Sequence, residues 1–156
     1  MNKKVFTSHR QAITACAFIY HNFDDVIKVF LPKRADTKKF LPSVFEMPGG
    51  HIDWGEDIIE GLEREIMEEH GMRIKVGDPF AVFTYLNEVK GFHSIEVIYF
   101  ANFKDPIADI KLNPEDHSEF KWFSECEIES ISQISEAELK GIRKGFAILS
   151  GKKLLA

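Results

Sequence analysis

Three glutamates, Glu65, Glu68 and Glu69, stand at i, i+3 and i+4 in one short stretch, a spacing that brings carboxylates together along a helix. At about 100° per residue, residues 57–70 place Ile58, Ile59, Leu62 and Ile66 within one arc of roughly 100°, the face to be buried. Glu69 falls inside that arc, Glu65 just off its edge, and Glu68 beyond Glu65 on the outer flank. A carboxylate in an apolar stripe is costly unless something compensates it. Three of them beside a glycine turn point to a hard divalent cation, which takes oxygen ligands and shares them with water and phosphate. The plain alternative is a solvated, glutamate-rich helix face.

The local sequence supports a helix at this place. Met47-Pro48-Gly49-Gly50 reads as a turn that most side chains could not follow. Glu56 and Asp57 put negative charge where the helix dipole favours it, and Gly71 stands just past the end as a C-cap.

With Gly50, Glu56, Arg64, Ile66, Gly71 and Met72 added at their spacings, the stretch resembles the signature of the Nudix hydrolases: Gly, Glu, Arg-Glu, an aliphatic, Glu-Glu, Gly, an aliphatic. Met72, unbranched, is the loosest match. The resemblance implies an α+β fold, the Nudix-type α/β/α sandwich, with a mixed, curved β-sheet between helices. It also implies an enzyme that hydrolyses a nucleoside diphosphate linked to another group, by attack of water on phosphorus. Mg2+, or Mn2+ in its place, would neutralise the phosphate oxygens and lower the pKa of bound water. By matched position Glu65, Glu68 and Glu69 become metal ligands, with the Gly49 carbonyl as a further oxygen. Arg64 is expected to orient a carboxylate, Glu68 or Glu56, in support of catalysis; the alternative is a simple surface ion pair. Glu56 and Gly71 support the motif.

For the general base, Glu65 is well placed, but relatives differ and some draw it from a loop after the sheet. That region offers Glu115, Asp116, His117 and Glu119. Glu115 is the first choice among them. For substrate binding, the family often carries an arginine near the phosphates at the place of Arg34, and Gly50 belongs to the close-approach turn. Stacking on a base needs an aromatic, and Phe40, Phe45, Tyr85, Phe92 and Trp122 are candidates, with Tyr85 preferred.

The elements that must position these groups follow from hydrophobic pattern and turn residues. Strands are expected over 11–20 and 26–31 as a hairpin, after which residues 32–36 leave the sheet. Further strands are expected over 74–76, 80–86 and 94–103, with 77–79 as a turn, then a short strand within 107–112 and another over 119–123. Ser124 caps a short helix over 125–131. Residues 135–149, with Leu139, Ile142, Phe146 and Leu149 at helical spacing, form a longer helix on the sheet face opposite the glutamates.

Composition narrows the class. At 156 residues the chain reads as one domain, 1–156. A net charge of −5 argues against a grip on nucleic acid polymers, whereas a small phosphorylated nucleotide remains compatible because a metal neutralises it locally. Cys16 and Cys126 form no close-spaced pair and read as reduced thiols. The basic start, 1–6, has no apolar run of signal-peptide length, and nothing reads as a membrane span, so a cytoplasmic location is expected. A homodimer is compatible with the sequence.

Three functional readings result. In the first, a nucleoside triphosphate, canonical or oxidised, is cleaved to monophosphate and pyrophosphate. The segment 45–50 is similar to its counterpart in the MutT-like branch of the family, and the motifs of the ADP-ribose, coenzyme A and NADH branches are not found. The second keeps the chemistry with ADP-ribose or a nucleotide sugar. The third is a binding module without turnover, disfavoured because the box keeps its glutamates.

Overall fold

The computed structural model describes residues 10–151; the basic start lies outside them. Strand β1 (Arg10–Phe23) is the axis of the sheet. Its run Ala15–Ile19 is buried on both faces, which is why it reads as continuously apolar rather than alternating. Ala15, Ala17 and Ile19 enter one core with Leu62, Ile66, Met72 and Ile74, while Cys16 and Phe18 enter the other with Leu31, Ile98, Ile142 and Phe146. Burying a side chain of the size of Phe18 or Ile19 is worth about 1.5–3 kcal/mol, so this strand anchors both layers.

Around β1 lie β2 (Val26–Arg34), β3 (Gly49–His51), β4 (Ile74–Asn87), β5 (Phe92–Phe103) and β6 (His117–Ser124). The order is β4-β5-β1-β2-β6, with β3 paired to β1. β1 and β5 run parallel and the other pairs antiparallel, so the sheet is mixed as expected. Helix α1 (Ile58–His70) covers one face. The short α2 (Glu125–Ile128) and α3 (Glu136–Leu149) cover the other. Fold class and layer order are those of an α+β sandwich. No helix among the described residues is long and apolar enough to cross a membrane.

Several boundaries differ from the sequence reading. Residues 32–34 do not leave the sheet: Pro32, Lys33 and Arg34 pair with Phe120, Glu119 and His117 of β6, a partner invisible from local sequence. Residues 77–79 are no turn, because register shifts around Pro79 absorb them within the continuous β4. Ile107–Asp109 is a single 3-10 turn rather than a strand. Ile59 is 39% exposed, since the helix is rolled so that Gly61, Leu62, Ile66 and His70 face inward.

Gly49 and Gly50 form a strand instead of a turn, and their lack of a Cβ serves packing. A Cβ on Gly49 would lie 2.6 Å from Cys16 Cα and inside the van der Waals surface of the Ala15 carbonyl oxygen. Both are backbone atoms of the central strand and cannot step aside. Gly49→Ala is therefore expected to destabilise the chain by about 3 kcal/mol or more, seen as a lowered urea midpoint. An unchanged midpoint would show that β3 can detach from β1 at little cost.

Candidate active site

The helix carrying the box is fixed at both ends. Asp57 is the N-cap, its Oδ1 accepting from the N–H groups of Ile59 at 2.9 Å and Glu60 at 3.2 Å. Gly71 adopts φ 64°, ψ 24°, and its N–H donates to the Met67 carbonyl. Between these caps Arg64 gathers its neighbours. Its Nε donates to Glu56 Oε1 at 2.7 Å, Nη1 to Glu65 at 3.0 Å and to Glu68 at 3.3 Å, and Nη2 to Glu56 Oε2 at 3.1 Å and to the His51 carbonyl at 3.0 Å. One guanidinium thus ties α1 to β3 and to the approaching loop, using the fork geometry that lysine lacks.

These bonds shift the partners' proton affinities. The hydrogen bond from Arg64, followed by the Asp53 N–H, lowers Glu56 from 4.5 to about 2, and the same bond raises Arg64. Because the folded value is the lower one, this contribution to stability is complete above the unfolded value and is lost as pH falls through about 2.

Glu65 and Glu69 face the cleft, with side chains 16% exposed, while Glu68 at 58% lies on the outer flank. Glu65 sits against Gly50, where a Cβ would come within 2.5 Å of its Cδ. Burial pushes Glu65 up, opposed by Arg64. Burial, then Glu46, Asp116 and Glu65, push Glu69 to about 9. Two half-enclosed carboxylates with too little positive charge between them match an oxygen-binding divalent ion, which would hold both in charged form.

The cleft beside them measures about 830 Å³. Gly49, Gly50, Arg34 and Tyr85, singled out from the sequence, line it; Glu115 does not, but its neighbour Asp116 does. Glu115 is exposed and Glu119 pairs with Lys33, so Asp116 is the carboxylate that the loop presents to the cleft. Arg34 is engaged by Glu46 at 3.2 Å and by the Phe40 carbonyl at 3.1 Å. Phe40 and Tyr85 stack within 13° of parallel, their centres 6.0 Å apart. Phe45 is buried against Phe123 and Trp122 packs on Phe30, so those two candidates serve the core.

Glu46, Glu96 and Glu138 also line the cleft, and the sequence reading missed them. Burial raises Glu96 to about 7, and burial followed by Glu96 raises Glu138 well above the ordinary range. Glu138 accepts from the Met47 N–H at 3.2 Å. A signal for Glu96 was present: it shares the inward face of β5 with Ser94 and Ile98, where a charged residue interrupts the buried pattern.

Comparison with known proteins agrees with this fold. The family model of the NUDIX domain matches residues 10–143. The m7GpppN-mRNA hydrolase NUDT17 of Xenopus laevis is 40% identical over 48 residues, a match spanning 31% of this chain but only 16% of that relative's length. Among solved structures, the MutT protein from Methanosarcina mazei Go1 superposes with TM-score 0.74 at 23% identity, covering 93% of this chain and 99% of that one. The NUDIX domain of Shewanella oneidensis NrtR, in complex with ADP ribose, gives TM-score 0.72 at 19% identity, covering 95% and 94%. At such identities these two structures speak to the fold.

Proposed function

The chain belongs to the Nudix hydrolase family, and from that premise we propose that it is a Mg2+-dependent pyrophosphohydrolase whose substrate is a nucleoside triphosphate, canonical or oxidised, released as monophosphate and pyrophosphate. The observation that carries this reading is the placement of Glu65 and Glu69, poorly compensated, on the wall of a cleft large enough for a nucleotide.

Glu65, Glu69 and the Gly49 carbonyl would hold the metal, with Glu68 reaching in from the flank. A bound divalent ion supplies charge neutralisation at the phosphates and an acidified water. The rest falls to the protein's own groups. Arg64 holds Glu65 in place from behind. Phe40 and Tyr85 offer a stacked aromatic wall for a base. Lys38, 2.7 Å from Asp116, and Arg34, paired with Glu46, bring positive charge to the cleft lining. Water attacking phosphorus must surrender a proton, and Glu65 or Asp116 is the carboxylate at hand.

ADP-ribose is the second reading, favoured by the likeness to the NrtR domain solved with that ligand. Product identification separates the two. The protein with Mg2+ is offered nucleoside triphosphates, oxidised forms, ADP-ribose, nucleotide sugars and a capped dinucleotide. Monophosphate and pyrophosphate from a triphosphate are expected. Consumption of ADP-ribose or a sugar nucleotide instead would replace the substrate class, and loss of no compound would overturn the hydrolase reading.

A further inference from the structure

Behind the cleft, where α1 ends, the rings of His70 and His117 stack 26° from parallel with centres 5.0 Å apart. They are 0% and 2% exposed. Glu69 Oε2 lies 3.7 Å from His70 Nε2 and 3.9 Å from His117 Nδ1, beyond hydrogen-bond reach of either. Glu69 Oε2, both ring nitrogens of His70 and Nδ1 of His117 have no hydrogen-bond partner. Buried polar atoms are nearly always satisfied, so four such atoms in one place are a strong chemical signal.

We propose that Glu69, His70 and His117 bind a divalent transition-metal ion of the zinc or cobalt kind, at a site distinct in donor type from the oxygen ligands of the cleft. One donor atom from each residue lies within 4.8 Å of the other two. Bonds of about 2.1 Å set ligand separations of roughly 3–4 Å, so small side-chain movements close the set. The tautomer agrees. His117 Nε2 is 2.9 Å from Glu46 Oε1, a carboxylate that can only accept, so the proton belongs on Nε2 and the lone pair of Nδ1 faces Glu69. Two lone pairs facing each other across 3.9 Å repel unless a proton or a cation lies between them, and a divalent ion would gather Nδ1, Glu69 and His70 at once. A carboxylate behind a histidine behind a metal is the arrangement that orients imidazole ligands in metal sites.

Charge and donor type support the same assignment. Glu69 and Glu46 together match the charge of a divalent ion, although Glu46 also serves Arg34. Imidazole donors favour zinc, cobalt or nickel over magnesium, which prefers oxygen. Around the pair, Phe30 stands edge-to-face with His70 at 5.3 Å and supplies no acceptor. Glu69 also lines the cleft, so an ion at the histidines would fix the rear of a carboxylate whose front faces substrate.

The test strips the protein with chelator, then titrates Zn2+ and Co2+ with Mg2+ in large excess. Binding is read by metal content, by Co2+ visible absorption and by the imidazole nitrogen NMR shifts. The expected result is one equivalent retained against Mg2+, shifts confined to two histidine rings, and no thiolate band from the exposed Cys126. His117→Gln should weaken Zn2+ at least about 100-fold. Full displacement by Mg2+, or unshifted His70 and His117 rings, would overturn the proposal and assign these atoms to buried water or to the stacked pair alone. The wild-type shifts decide the matter even if a variant at these buried positions does not fold.

Discussion

Glu69→Gln is expected to reduce turnover by about three orders of magnitude or more at saturating Mg2+ while leaving the fold intact. Glutamine keeps the shape of the side chain and removes the negative charge that a divalent ion must meet. Without metal the variant should be at least as stable as the parent, because Glu69 is largely buried among Glu46, Asp116 and Glu65, which disfavour its charged form. An amide at this position can also donate toward the unpartnered nitrogens of His70 and His117. The pairing of these effects is diagnostic: lost rate with undiminished Tm of the metal-free chain assigns Glu69 to the metal, whereas a wild-type rate removes it from the site. A fall in both would make it a packing residue.

Arg64→Ala should lower kcat/KM by about 10–100-fold and weaken the apparent affinity for Mg2+ by a similar factor. The guanidinium does not itself line the cleft but holds Glu56, Glu65 and Glu68 at once, of which Glu65 does. Removing it leaves those carboxylates to repel one another. Glu65 would then be free to leave Gly50, so the loss should appear in metal dependence more than in affinity for the nucleotide. Tm should fall by a few degrees. Arg64→Lys is expected to recover little, because an ammonium cannot hold both oxygens of Glu56 and still reach Glu65. Full activity in the lysine variant would mean that only a positive charge is needed there.

The assignment of function to this chain rests on agreement between a local motif and a non-local cleft. The match to the family model runs from the first described strand to α3, so the motif is set in the fold that normally carries it. The substrate depends on the cleft wall, where Phe40, Tyr85, Glu96 and Glu138 come from four separate parts of the chain.

What the sequence by itself determined is what depends on neighbours along the chain. Helix α1, the acidic charge of Asp57 at its start, its Gly71 cap, and the relative positions of Glu65, Glu68 and Glu69 follow from local sequence and helical spacing. So does the inward face of α3, since Leu139, Ile142 and Phe146 are buried as their periodicity requires. Tertiary structure decided the rest. Glu46 meets His117 across 71 residues and Met47 meets Glu138 across 91, encounters fixed by the pairing of β2 with β6 and by the packing of α3 on the sheet. Arg34 carries a free-looking charge in the sequence, yet strand pairing delivers it to Glu46. Asp116 and Glu115 are equivalent in a row of letters, and only the path of the loop into β6 turns the first toward the cleft and leaves the second exposed. The physical reason is that a helix fixes geometry over a few residues, whereas which strands lie side by side is settled by the burial of the whole core.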